Sequence, residues 1–214
     1  MYVKICGISS SGDLRAAIRA GASALGFLVG LDYPSEDELE PEAAATLVRQ
    51  GTPLVSTVLV THLAQTDAVE QICSIVQPST LQLHGDFPLD RVPELRGRFP
   101  HLRIIKTVHA IGDHSIDQAK MAAEVADAIL ADTRTSARLG GTGQVHDWSV
   151  SRAMREAIGR TPFILAGGLD PENVKTAVEK VRPFAVDVNT GVSARRGVKD
   201  PELMRAFVER CKLA

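Results

Sequence analysis

Two side chains in this sequence are equipped to move protons. Cys6 and Asp132 each close a short apolar run, and a thiolate accepts a proton where a carboxylic acid donates one. A nearby phosphate or backbone dipole would tune either group. A lone cysteine in such a place equally serves packing, and an aspartate equally serves as a loop cap. Glycines mark a second kind of chemistry. Gly167 and Gly168, and later Asn189, Thr190 and Gly191, follow two successive apolar runs. Glycine lets backbone N–H groups approach an anion closely, and a helix starting just beyond would add a favourable dipole. Together they fit a phosphate cradle; separately they are tight turns. His84 and Asp187 lie at the ends of other runs, and Lys106 lies within one. The GGTG stretch at 140–143 sits in a longer loop, as a hinge for a closing lid or as a plain flexible connection. The tight strand–glycine–helix turn of a dinucleotide site is missing there.

These residues meet only if the fold collects the ends of the runs. The apolar runs are 3–6, 24–30, 54–60, 81–85, 104–109, 128–132, 162–168 and 184–188. Several are nearly continuous in apolar residues, as strands buried on both faces are. Each is followed by a segment with helical spacing: 10–21, 41–50, 66–76, 88–98, 115–126, 149–158, 171–181 and 201–212. Proline near the start of several of these suits a first helical turn. Eight such units in 214 residues, with no linker or low-complexity block, predict one α/β domain over 1–214. The expected form is a closed (β/α)8 TIM barrel, with an open doubly wound sheet as the alternative. A barrel gathers the C-terminal strand ends at one mouth and often holds phosphate after strands seven and eight.

Composition excludes several partners. The net charge of −2 leaves no basic footprint for nucleic acid, and six Phe, two Tyr and one Trp are too few for a base-stacking surface. No stretch approaches the roughly 18 apolar residues that span a bilayer. The N-terminus lacks a signal-peptide pattern, so the expected compartment is the cytoplasm. The three cysteines are far apart, and neither they nor the six histidines show metal-ligand spacing, so no metal is expected. Cys73 and Cys211 read as small apolar helix residues.

Taken in order, the motifs are VKICGI (3–8), GASALGF (21–27), LQLHG (81–85), Asp132 with GGTG (140–143) and Asp147 and Trp148, LAGGLDPENV (165–174), RPFAVDV (182–188) and GVKD (197–200). Nearly end to end, they resemble the phosphoribosylanthranilate isomerase family of tryptophan biosynthesis. That resemblance implies a ribulose-phosphate-binding barrel, monomeric or homodimeric, acting on a small phosphorylated sugar. The implied reaction is the Amadori-type aldose–ketose isomerisation of N-(5-phosphoribosyl)anthranilate to 1-(2-carboxyphenylamino)-1-deoxyribulose 5-phosphate. It also implies Cys6 as general base and Asp132 as general acid. The backbone of Gly167, Gly168, Asn189 and Thr190 would hold the phosphate, and His84 and Asp187 would line the pocket near the sugar. No metal or organic cofactor is implied, because the substrate's own imine is the electron sink.

One region departs from the family. There, an arginine in a Ser-rich loop after the second strand meets the anthranilate carboxylate, whereas residues 31–41 here are acidic and contain no Arg. The run VSTVLVTH (55–62) also differs from the family's VFVN. Glu36, Asp37, Glu38 and Glu40 would repel a carboxylate if this loop faced the mouth. Arg134 would then be a replacement cation, or else an ordinary surface residue. Two other readings therefore stand beside the first. One is a related isomerase for another N-glycosyl phosphosugar, which the Arg-free loop favours. The other is a non-catalytic barrel that binds a phosphate ligand, which the retention of Cys6 and Asp132 disfavours.

Overall fold

The computed structural model describes residues 1–132 and 148–213. Its strands are β1 (Tyr2–Ile5), β2 (Ala24–Leu28), β3 (Ser56–Thr61), β4 (Thr80–Leu83), β5 (Arg103–His109), β6 (Ala128–Asp132), β7 (Phe163–Leu165) and β8 (Ala185–Val188). They pair in parallel in chain order, and β8 closes on β1. The helices are α1 (Ser11–Ala20), α2 (Pro41–Arg49), α3 (Thr66–Val76), α4 (Val92–Arg98), α5 (His114–Ala123), α6 (Trp148–Ala157), α7 (Val174–Val181) and α8 (Pro201–Lys212). The expected (β/α)8 barrel is the observed fold.

Strand alternation divides the core in two. Val3 and Ile5, Leu25 and Phe27, Leu81 and Leu83, and Phe163 and Leu165 belong to the large cluster shared with the helices. The alternate positions, Cys6, Leu28, Val58, Val60, Ile105, Leu130 and Ile164, form a second cluster inside the barrel. Both faces are dry, which explains the nearly continuous apolar runs. Phe27 and Phe163 are 0% and 1% exposed, each burial favouring the fold by about 1.5–3 kcal/mol. The same period of two puts Lys4, Gln82, His84, Thr107, His109, Asp132 and Asp187 on inward faces. It turns Lys106 outward, beside Ile104 and Val108 of the outer cluster.

Local signals set the helix ends. Ser10 Oγ accepts from Asp13 N at 3.1 Å to start α1, and Gly21 at φ 95° ends it. Asp200 caps α8 through the N–H groups of Glu202 and Leu203. Three of the differences from the expected boundaries have a local cause or bear on the site. The segment 88–98 divides into a 3-10 turn, Leu89–Arg91, and α4. β7 stops at Leu165, because Gly167 and Gly168 take φ values of 81° and 66° that leave the strand. α7 begins at Val174, not 171: Asp170 Oδ1 accepts from Glu172 N and Asn173 N and holds the preceding residues as a turn. A short hairpin, Ser193–Arg195 with Val198–Lys199, lies before α8 and had no strand signal in sequence.

Candidate active site

On the inner wall, β1 and β8 align Lys4 with Asp187, and Lys4 Nζ donates to Asp187 Oδ2 at 2.8 Å. Both side chains are buried, so each charge needs the other. Cys6, just past the end of β1, is the next inward residue and is also buried. A Cβ on Gly26 would stand 2.6 Å from Cys6 Sγ, so only glycine at this point of β2 leaves room for the thiol. Burial pushes the Cys6 thiol above its usual range; Lys4 pulls the other way, and the Asp187 charge adds to the rise. The resting group is therefore a thiol. Burial opposes the Lys4 charge, but Asp187, and Cys6 when ionised, outweigh it and hold Lys4 above the ordinary lysine value. Cys6 and Asp187, both singled out from sequence, are thus linked by Lys4, which was not. The signal was present: a lysine alternating with Val3 and Ile5 in a strand with two dry faces must find a buried partner.

Across β7 and β8 from this cluster, Asp132 ends β6. Its Oδ2 lies 3.2 Å from His84 Nε2. The His84 ring stacks on His62 with centroids 4.8 Å apart and planes 3° apart, and meets His109 edge-on at 5.7 Å. His62 Nδ1 in turn contacts the carboxylate of Asp32, and Tyr33 meets its ring edge-on at 5.2 Å. The ends of β3, β4 and β5 thus present a wall of aromatic rings. Only His84 of this wall was picked out from sequence; scattered histidines carry no signal until the barrel aligns the strand ends. Behind the wall, Lys106 Nζ donates to Gly85 O at 2.6 Å and pins the turn after His84. Burial pushes the Lys106 amine down to about 8, against the pull of Asp86.

The two glycine loops meet. A Cβ on Gly191 would stand 1.9 Å from Leu169 O, so the turns after β7 and β8 are in backbone contact. Asn189 Oδ1 is engaged by Lys199, whose Nζ also reaches Asn189 O at 3.2 Å and Ser193 Oγ at 3.3 Å. The Asn189 amide oxygen is therefore occupied by a cation. The expected contribution of a helix start at Gly168 is corrected: Asp170 takes the first N–H groups of that turn, and α7 starts later.

The acidic loop is also corrected. Asp37 is 7% exposed and does face inward, but its Oδ2 lies 3.5 Å from Lys199 Nζ, so its charge is paired. Glu38 Oε1 accepts from Leu31 N at 2.9 Å, and Glu36 stands 4.0 Å from Arg196. The loop is not a bare negative surface. Arg134 and the GGTG stretch at 140–143 lie outside the described residues. Cys73 and Cys211 are buried helix residues, as expected. Among the described residues no helix is long and apolar enough to cross a membrane.

Comparisons with known proteins agree with this fold. The family model of N-(5'phosphoribosyl)anthranilate (PRA) isomerase matches residues 3–210. The N-(5'-phosphoribosyl)anthranilate isomerase 2 of Methanosarcina mazei is 39% identical over 214 residues, covering 99% of this chain and 94% of its own. The Halobacterium salinarum isomerase is 41% identical over 211 residues, covering 97% and 94%. Among solved structures, phosphoribosyl anthranilate isomerase from Thermotoga maritima superposes with a TM-score of 0.87 at 33% identity, covering 100% of both chains. A phosphoribosyl anthranilate isomerase in complex with reduced 1-(o-carboxyphenylamino)-1-deoxyribulose 5-phosphate superposes with a TM-score of 0.83 at 31% identity, again over 100% of both. With the barrel fold and these relatives in agreement, the chain belongs to the N-(5'-phosphoribosyl)anthranilate isomerase family.

Proposed function

We propose that this protein isomerises N-(5-phosphoribosyl)anthranilate to 1-(2-carboxyphenylamino)-1-deoxyribulose 5-phosphate, with Asp132 as acid and Cys6 as base. Asp132 protonates the ring oxygen, the C1′–O bond breaks, and the nitrogen lone pair forms the C1′=N bond. Cys6, as thiolate, removes the C2′ proton, and those electrons form the C1′=C2′ bond of an enolamine. C1′ then gains a proton while the C2′ hydroxyl loses one, leaving the ketone. The observation that carries this reading is that each group has a polar neighbour at one mouth: Lys4 beside Cys6, and His84 Nε2 3.2 Å from Asp132 Oδ2. Lys4 stabilises the thiolate against burial. Because the thiol is pushed up, few molecules carry the thiolate at neutral pH, but that thiolate is a strong base.

The phosphate is held by the backbone at Gly167, Gly168, Asn189 and Thr190. Asp187 Oδ1, buried with no hydrogen-bond partner among the described residues, accepts from a sugar hydroxyl. The aryl group stacks against the His62–His84–His109 wall, on the far side of the mouth from the phosphate loops. The Asp37–Lys199 pair removes the main electrostatic objection to an anthranilate carboxylate. The test is a continuous assay of anthranilate fluorescence, with substrate made in situ from anthranilate and phosphoribosyl pyrophosphate. The signal of the substrate should fall faster with this protein than without it. No acceleration, in a mixture that a known isomerase consumes, would reject the assignment.

A further inference from the structure

Gln82 is 1% exposed and lies one inward position below His84 on β4. Its Nε2 is 3.2 Å from Thr107 Oγ1 and 3.2 Å from His84 Nδ1. Thr107 Oγ1 is itself 3.4 Å from the same Nδ1. An amide nitrogen has two protons to give and accepts none. One goes to Thr107 Oγ1, which leaves the threonine proton free to turn toward the ring; the other goes to Nδ1. With the amide so oriented, two donors converge on His84 Nδ1, and that nitrogen presents its lone pair. The proton of the neutral imidazole is then on Nε2, which lies 3.2 Å from Asp132 Oδ2, a close contact bent away from hydrogen-bond geometry.

We infer that Gln82 is a positioning residue of the isomerisation: directly and through Thr107, it holds His84 as the neutral Nε2–H tautomer against Asp132. This rests on the proposed role of Asp132 as acid. Two consequences follow for that acid. An Nε2–H cannot accept a proton, so protonated Asp132 keeps its proton for the substrate oxygen. Once the proton has gone, the same N–H stabilises the carboxylate left behind. The groups facing His84 are Gln82 on its own strand, Thr107 and His109 from β5, Asp132 from β6, and His62 with Asp32 behind it from the β3 side.

Gln82→Glu tests this by replacing the donor with an acceptor for Nδ1–H. Ring-nitrogen NMR of histidine-labelled wild type should show His84 with Nδ1 unprotonated near neutral pH, whereas Gln82→Glu should show both nitrogens protonated. In that variant kcat should fall about tenfold or more, as a wrong imidazole tautomer costs elsewhere, and the acid limb of its pH profile should move. Gln82→Met, which removes the donor without adding a charge, should lose kcat with little change in KM. Melting curves separate these effects from misfolding; if Gln82→Glu fails to fold, the wild-type spectrum decides. A wild-type ring protonated on Nδ1, as the amide turned to present Oε1 would require, overturns the inference. So does a folded Gln82→Glu with wild-type pH profile and tautomer. Wild type that does not consume the anthranilate substrate rejects the isomerase reading and this role with it; an active wild type with an Nδ1–H ring rejects this role alone.

Discussion

Removing Lys4, Asp187 or both separates what the buried pair does for stability from what it does for Cys6. At 2.8 Å and an effective dielectric of about 20, the two charges attract by roughly 6 kcal/mol. Desolvation costs several kcal/mol per ion, so the net worth of the intact pair is small. Breaking it is different: Lys4→Met leaves Asp187 charged and buried, and should cost about 3–5 kcal/mol of unfolding free energy. Lys4→Met with Asp187→Leu removes both charges and should return to within about 1–2 kcal/mol of wild type or exceed it. Lys4 is held above its unfolded value near 10.4, so its contribution is complete below that pH and fades only as pH rises through the folded value. Urea unfolding at neutral pH therefore reads the full effect. Activity should not follow stability. Both variants lack the cation that opposes burial of the Cys6 thiolate, so both should lose kcat by about a hundredfold or more. Alkylation of Cys6 by iodoacetamide against pH, followed by peptide mapping, should show its titration displaced upward in Lys4→Met. A double variant with wild-type kcat would refute the role of Lys4, and a Lys4→Met within about 1 kcal/mol of wild type would refute the buried-pair argument.

Cys6→Ser and Asp132→Asn should each lower kcat by about a hundredfold or more with little change in melting temperature; near-normal turnover removes that residue from the mechanism. Gly168→Asp adds a side chain and a negative charge beside the φ 66° turn, and calorimetry should show weakened binding of the reduced substrate analogue; normal binding would move the phosphate site elsewhere. Asp37→Arg should not improve kcat/KM. It strands Lys199 beside a second cation and should cost about 3 kcal/mol or more in urea unfolding, so a more active and equally stable variant would contradict the pairing. Lys106 titrates at about 8 in the fold, so its burial costs about 3 kcal/mol below that pH, and the cost is relieved as pH rises toward the unfolded value. Stability of Lys106→Met relative to wild type should accordingly be greater at neutral pH than near pH 10, by about 2–3 kcal/mol in urea unfolding. A difference independent of pH would mean that the amine is not desolvated.

The sequence by itself determined the barrel and the strand ends that reach its mouth. Apolar runs alternating with helical segments leave few folds that bury every run, and a parallel barrel delivers C-terminal ends to one side. Cys6, Asp132, Asp187 and the glycines of both loops were legible for that reason, because each follows or closes a run. What those residues touch was decided only by tertiary structure. Lys4 and Asp187 are 183 positions apart, and their contact depends on the register in which β8 closes on β1. Asp37 and Lys199 are 162 positions apart, joined by the path of one loop and a hairpin without a strand signal. This pairing offsets the charge of Asp37, the acidic residue of the loop that is buried. The stacking of His62 on His84 likewise follows from how neighbouring strand ends align, which no local pattern encodes. Periodicity says which face a side chain takes, since that is a property of the strand alone. Its partner is set by register and loop path, which depend on the closure of the whole barrel.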